Sequence, residues 1–146
     1  MNLEELLDIV EFQFGKEIRK RIENLDLKIK RFRSRKIEIY LNNNLFLYLN
    51  PKFFLFSINI EFAKILVETK KFYIKVKNEF INDIKKTKNI IRKNILEYSK
   101  DFRNGDDIIV IDENNNLIGI AKAKFNYSEI ENSTYGLIAK IKKFYL

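Results

Sequence analysis

The spacing of apolar residues changes near residue 27, and this change constrains the fold more than any other feature. Before residue 27, apolar residues recur every three or four positions, which is typical of helices. From there they alternate with polar residues, as at 37–41, and the alternation returns at 72–77 and 137–142, whereas 107–111 is nearly all β-branched. A period of two is typical of strands. The sequence therefore predicts an α+β fold.

Local signals mark where the first elements begin and end. Asn2 followed by Glu5 predicts a capping box and a first helix over about 2–12. The asparagines at 42–44 predict a turn, because Asn tolerates a left-handed backbone. Residues 53–58 are expected to form a strand.

The chain is expected to contain two units, a small N-terminal α/β module at 1–68 and a mostly β unit at 71–146. In the second unit, Asn78 is expected to cap a short helix, and 107–125 to form a hairpin. No internal repeat is evident.

The composition excludes whole classes of chemistry, because the chain has no Cys and no His. Zinc and haem sites, disulfides, and Ser–His or Cys–His catalysis are thereby ruled out. A binding protein, or an enzyme that uses carboxylates, Lys, Ser or Tyr, stays open. The formal net charge of +8 favours an anionic partner without naming it.

The acidic motifs do not support catalysis or metal binding. Asp106 and Asp107 are adjacent, but consecutive strand residues point to opposite faces, and a Gly–Asp turn explains both. Residues 112–116 resemble a calcium loop until Leu117 and Ala123 occupy the positions that need Gly and Glu. We expect no catalytic residue, no metal and no cofactor.

Basic residues are clustered in three segments. Residues 27–36 hold six basic and no acidic side chains, 70–93 hold nine against two, and 133–146 hold three against none. Clusters of this kind are the expected footprint of a nucleic-acid surface, although solvated faces would look the same. Aromatic residues lie between basic ones, as at Phe32, and could stack on bases or simply pack. The first segment supplies three candidate RNA ligands: Arg31, Arg33 and Arg35.

No export or membrane signal is evident. The acidic start of the chain is unlike a signal peptide, and the most apolar stretch, 53–66, is short and interrupted by polar residues. A cytoplasmic location without membrane association is expected.

Three segments in the second half resemble the PUA domain, which is named for pseudouridine synthases and archaeosine transglycosylases. They are Gly105–Asp112, with its Gly-Asp-Asp start, then 117–123, and a Gly followed by the last strand at 136–141. Upstream, 11–15, the basic strand around 31–40 and 56–63 resemble the module that precedes PUA in archaeal tRNA-guanine transglycosylase and archaeosine synthase. The resemblance covers nearly the whole chain.

The resemblance implies a PUA-type β-pseudobarrel that docks on structured RNA, commonly tRNA, as a tail without the catalytic barrel. PUA contacts come mainly from the first helix, the next strand and the last strand. The corresponding residues here are Lys85, Lys86, Lys88, Asn89, Arg92, Lys93, Lys140, Lys142 and Lys143. The family usually has a glycine in the helix-to-strand loop, whereas this chain reads Lys-Thr-Lys-Asn at 86–89.

The sequence thus predicts a non-catalytic RNA-binding protein that recognises tRNA or another structured RNA in tRNA modification. The alternative is a protein-interaction subunit that recruits or completes a separately encoded tRNA-modifying enzyme.

Overall fold

The computed structural model describes residues 1–133 and 136–146. The chain divides into two compact units, Met1–Ile65 and Leu66–Leu146. The first unit begins with two helices and continues into a sheet, whereas the second is mostly strand. The α+β class predicted from the hydrophobic periods is therefore confirmed.

The described part of the chain contains four α-helices and ten strands. The helices are α1 (Leu3–Phe14), α2 (Lys16–Ile22), α3 (Ile60–Thr69) and α4 (Ile81–Thr87). The strands are β1 (Leu27–Arg31), β2 (Ile37–Leu41), β3 (Asn44–Asn50), β4 (Leu55–Ile58), β5 (Tyr73–Val76), β6 (Asn89–Ile91), β7 (Ile95–Tyr98), β8 (Asp107–Ile111), β9 (Leu117–Ala123) and β10 (Leu137–Phe144). Short 3₁₀ turns occupy Asn78–Phe80, Arg92–Asn94 and Tyr127–Asn132. No helix in the described ranges is long and apolar enough to cross a bilayer.

Helix α1 begins at the predicted capping box. Asn2 Oδ1 accepts from the Glu5 N–H at 2.8 Å, and Glu5 Oε1 accepts from the Asn2 N–H at 3.2 Å. The helix ends before Gly15, whose φ of 94° is a conformation that side-chain-bearing residues rarely adopt. The buried residues of α1 include Leu6, Leu7, Val10 and Phe14. Their helical spacing places them on one face of α1, and this face packs into the core.

The first unit builds an antiparallel sheet in the order β1-β2-β3-β4. Buried apolar residues meet across the strands, for example Ile39 opposite Leu47. Three aromatic rings join the helices to this sheet, with Phe62 at 4.9 Å from Phe14 and 5.2 Å from Phe46. All three rings are buried, so they form the centre of this core.

Strand β4 starts later than predicted, at Leu55 instead of 53. The N–H groups of Phe53 and Phe54 both donate to the Asn50 carbonyl, at 3.3 and 2.9 Å. The chain therefore turns over these residues, and both phenyl rings are exposed. A run of apolar residues, as at 53–56, does not distinguish such a turn from a strand.

The second unit is a six-stranded sheet in the order β6-β10-β9-β8-β5-β7 that curls into a half-barrel. Strands β5 and β8 pair parallel, and the other neighbours pair antiparallel. The hairpin predicted at 107–125 is formed by β8 and β9. Gly119 allows close approach of β10, because a Cβ there would lie 2.6 Å from the Lys143 carbonyl oxygen.

The predicted capping role of Asn78 is wrong. Its side chain caps no helix, and a 3₁₀ turn precedes α4. Asn78 Oδ1 accepts from the Glu113 N–H at 3.1 Å, and Glu113 Oε2 accepts from the Asn78 N–H at 2.8 Å. This reciprocal pair ties the start of the helical segment to the β8–β9 turn.

Candidate nucleic-acid interface

Strand pairing brings the second and third basic segments into contact. Strand β6 pairs antiparallel with β10, which places Asn89 opposite Lys140. Immediately before β6, the Lys88 carbonyl accepts from the Ile141 N–H at 2.8 Å. Side chains that are far apart in sequence therefore share one surface.

Phe144, the last residue of β10, lies close to two lysines of this surface. The Nζ atoms of Lys85 and Lys88 are 5.9 and 5.6 Å from the centre of its ring, within the range of cation–π attraction. We call Lys85, Lys86, Lys88, Lys140 and Phe144 the basic face; its four lysines are exposed. Lys143 is also exposed and precedes Phe144 on the same strand.

Lys88 lies in the helix-to-strand loop, where the resemblance to the PUA domain leads us to expect a glycine. It ends α4 in the left-handed region, with φ 63° and ψ 15°, and its N–H donates to the Ile84 carbonyl at 2.8 Å. Glycine is the usual residue for this conformation. The turn is therefore made without glycine, and the residue in its left-handed position is a positively charged lysine.

Asn89 follows with a buried polar atom. Among the described residues, its Oδ1 has no hydrogen-bond partner, although its backbone N–H donates to Thr87 Oγ1 at 3.2 Å. A buried carbonyl oxygen of this kind is uncommon in proteins. It lies on the strand that borders the basic face.

Arg92 and Lys93 are engaged within the chain. Arg92 Nη2 lies 3.4 Å from Glu131 Oε1, and Tyr98 donates its hydroxyl to the same oxygen at 2.6 Å. The Tyr98 hydrogen bond lowers the pKa of Glu131, with Arg92 adding to the effect. The Nζ of Lys93 lies 5.7 Å from the centre of the Phe80 ring.

Lys142 differs from the other lysines of β10 because it pairs with a buried carboxylate. Its Nζ donates to Asp107 Oδ2 at 2.8 Å and Oδ1 at 3.1 Å, and the Asp107 side chain is 2% exposed. A register shift between Ile141 and Lys143 makes Lys142 the extra residue of a bulge. Lys142 therefore stabilises a buried charge, which competes with contact to a phosphate.

Two residues of this region are not among the sequence-predicted ligands. Phe144 is recognisable from sequence only as one aromatic beside lysines, and its two cationic neighbours come from a distant helix. Lys122 lies opposite Lys140 on β9. Its signal is the polar position in an otherwise apolar strand at 117–123.

Asp106 and Asp107 are both buried and have different partners. Asp106 Oδ2 accepts from the Arg103 N–H at 2.9 Å, which closes the turn before β8. Burial raises the pKa of Asp106 to about 6. Both carboxylates therefore have structural partners at the start of β8, which agrees with the interpretation of this segment as a Gly–Asp turn.

Arg31, Arg33 and Arg35 belong to the first unit and lie at the β1–β2 turn. The turn is held by bonds from the Phe32 N–H to the Lys36 carbonyl, at 3.1 Å, and from the Arg35 N–H to the Phe32 carbonyl, at 3.0 Å. All three arginines are exposed, and none forms an ion pair with any residue that the structure describes.

Two family models match the chain. The PUA domain matches residues 72–145, and the patch-forming domain C2 of tRNA-guanine transglycosylase matches residues 4–72. Neither is a catalytic domain, and together they indicate RNA binding in the context of tRNA modification.

Two solved structures of archaeal proteins have a similar fold. A hypothetical protein of Pyrococcus horikoshii OT3 superimposes with a TM-score of 0.72 at 15% identity, over 97% of this chain and 88% of that chain. A conserved PUA domain protein of Thermoplasma acidophilum gives 0.64 at 15% identity, over 99% and 91%.

A curated relative, an uncharacterized protein of Methanocaldococcus jannaschii, is 31% identical over 91 residues. The match covers 60% of this chain and spans only about a fifth, 19%, of the relative's length. Since the PUA model covers half of the residues and the C2 model most of the rest, the chain belongs to the PUA-domain family, with a transglycosylase-type C2 region before its PUA domain.

Proposed function

We propose that the protein binds tRNA or another structured RNA, without catalysis, through the basic face of its PUA domain. The observation that carries this proposal is the pairing of β6 with β10, which gathers lysines from two segments around Phe144. The proposal assigns 71–146 as the RNA-binding domain and 1–68 as the pre-PUA module.

The chemistry of the basic face suits the RNA backbone better than base edges. Lysine is a flexible point charge that neutralises phosphate. The major groove of A-form RNA is too deep and narrow for side chains, so duplex RNA is recognised by shape and backbone. Lys85, Lys86, Lys88 and Lys140 would contact phosphates, and Phe144 could stack on an exposed base or ribose.

We rank the sequence-predicted ligands by the partners that they already have. Lys142 and Arg92 already hold carboxylates, so we assign them to the support of the domain. Lys143, Lys93 and Asn89 stay as flanking contacts.

The test is filter retention of tRNA across a salt series, with the native chain and a K85Q/K86Q/K88Q variant. Each lost phosphate contact should reduce the slope of log affinity against log salt by about 0.9 in duplex regions, by analogy with DNA. A K16Q/K20Q/K100Q variant removes the same charge from exposed lysines outside the basic face and should keep the native slope. Weak binding with no preference for tRNA over heparin would overturn the proposal.

The C2 match favours one second candidate, a subunit that recruits or completes a separate tRNA-modifying enzyme. It predicts stable association with a transglycosylase-type enzyme and little affinity for RNA alone. Co-purification of the two proteins, with the K85Q/K86Q/K88Q variant retaining the complex, would favour this candidate.

A further inference from the structure

A second candidate site lies in the first unit, beside the β1–β2 turn. It is a pocket of about 320 Å³, near the lower end of the volumes of ligand pockets, so it suits a single small group. Its apolar part includes Phe32, Ile37, Leu49, Pro51 and Phe54. Arg31, Arg35 and Lys36 also line it. None of these lining residues carries a negative charge.

The aromatic residues of this pocket lie in turns of the backbone. Phe54 follows the turn at Asn50, its N–H bonded to the Asn50 carbonyl at 2.9 Å, and it adopts a φ of 52°. A bulky residue at positive φ is rare, so the turn fixes an unfavourable backbone. Despite this, Phe54 is 57% exposed. A phenylalanine side chain has only two rotatable bonds, so an exposed ring offers a flat apolar surface at a small entropic cost of ordering.

The cations of the pocket differ in their availability. Lys36 lies 3.4 Å from Glu38 Oε2 and near the ring of Phe32, so it is already engaged. Arg31 and Arg35 form no ion pair with the described residues. Guanidinium groups bind phosphate with two parallel hydrogen bonds and also stack on planar rings.

We propose that this pocket, the hairpin pocket, receives the base of an unpaired nucleotide of RNA. The base stacks on Phe54 or Phe32, and Arg31 and Arg35 bind the adjacent phosphates. Aromatic rings combined with cations are the features that bind single-stranded nucleic acid. The inference rests on the proposed function in that the ligand is RNA, but the site and the strand type differ from those of the basic face.

The experiment uses the full chain and two probes. One is a six-nucleotide single-stranded RNA with a central 2-aminopurine, and the other is a blunt RNA duplex. Stacking in the hairpin pocket should quench the 2-aminopurine fluorescence. Phe54→Ala should weaken single-strand affinity about 5- to 150-fold, the range for loss of one base–aromatic stack. R31Q/R35Q should also weaken it, and neither variant should change duplex affinity.

Phe53→Ala is the matched control, since Phe53 is 59% exposed on the same turn but does not line the pocket. It should keep native single-strand affinity and quenching. Because Phe54 and both arginines are exposed, the variants should retain the native melting temperature.

Native single-strand binding by both F54A and R31Q/R35Q would overturn the inference while leaving the basic face intact. Displacement of the RNA by an acidic peptide in a Phe54-dependent way, with no quenching by the RNA itself, would also overturn it. Failure of both RNA probes to bind the native chain would instead refute the proposed function.

Discussion

Lys88 combines a conformational cost with a charge in a single residue. A non-glycine residue in the left-handed region costs roughly 1–2 kcal/mol of folding free energy. Replacement by glycine removes this cost, but glycine also makes the unfolded chain more flexible, so only part of the cost is recovered as stability. We therefore expect Lys88→Gly to raise the free energy of unfolding by up to about 1 kcal/mol. Urea denaturation at neutral pH measures this.

Lys88→Asn separates the charge from the backbone, since Asn tolerates the left-handed region and is neutral. Both variants should lose tRNA affinity to a similar extent if Lys88 acts through its charge. Native affinity in both would assign Lys88 to the turn alone.

Asp106 makes the stability depend on pH. Burial raises the pKa of Asp106 to about 6 in the folded chain, above its ordinary value of 3.8. Folding therefore favours the protonated carboxyl, so this contribution is full below about 4 and is lost as pH rises through 6. Asp106→Asn keeps an oxygen acceptor for the Arg103 N–H and should remove this dependence.

The measured quantity is the free energy of unfolding of D106N minus that of the native chain. It should rise by about 1–3 kcal/mol between pH 4 and pH 7. Asp26→Asn removes one negative charge from an exposed position and serves as control. A D106N difference that is constant with pH would contradict the assignment.

Residue-scale features were predictable where they depend on near neighbours. The Asn2–Glu5 capping box is complete within four residues, and the left-handed Asn42 and Asn43 follow from the chemistry of asparagine. The left-handed Lys88 has no such signal, because lysine has no preference for that region. The ion pair of Lys142 with Asp107 depends on a bulge in a strand pairing, which the sequence does not display.

At the scale of elements, a single side chain links α1 to the edge of the first sheet. Gln13 Nε2 donates to the Phe56 carbonyl at 3.0 Å, and its Oε1 accepts from the Phe56 N–H at 2.7 Å. Phe56 lies on β4, the last strand of the sheet, and both residues are buried. Gln13 thus bonds to Phe56 as a residue of a neighbouring strand would, and it protects the free edge of β4.

Gln13→Leu should therefore destabilise the protein by about 2–6 kcal/mol, since two buried backbone groups lose their partner at about 1–3 kcal/mol each. Gln13→Glu keeps the acceptor but loses the donor and, at neutral pH, buries a carboxylate against the Phe56 carbonyl, so a loss at least as large as that of Gln13→Leu is expected. Chemical denaturation measures both variants. Faster hydrogen exchange at the Phe56 amide in Q13L would locate the effect, and native exchange there would contradict it.

The elements themselves were largely predictable because alternation and turn residues are local. The strand boundary at Leu55 and the role of Asn78 were not, since each depends on a hydrogen bond that competes with the local signal. In both places the backbone bonds to a residue that the pattern of apolar positions does not involve. The role of Gln13 is likewise not evident from the sequence, although it lies within the segment 11–15 that resembles the transglycosylase module.

At the scale of the whole molecule, the sequence indicated how many basic clusters there are but not which charges are available. The lysines of α4 and β10 come together through the β6–β10 pairing, while Arg92 and Lys142 are taken up by carboxylates. Sequence patterns did not reveal the hairpin pocket, because Pro51 and Phe54 come from a different turn than Arg31, Phe32 and Arg35.

The basic face and the hairpin pocket belong to different units, and their joint use can be measured by combining the variants of each. K85Q/K86Q/K88Q, R31Q/R35Q and the combined variant are compared for tRNA binding by filter retention, with stoichiometry from sedimentation. If one RNA engages both surfaces, the losses in binding free energy add and one RNA binds per chain, because contacts at separate sites are independent. If the surfaces bind RNA separately, either variant alone keeps nearly native affinity, two RNA molecules bind per native chain, and only the combination abolishes binding. We expect the additive result, since linking two weak sites on one chain raises affinity for a single ligand that reaches both.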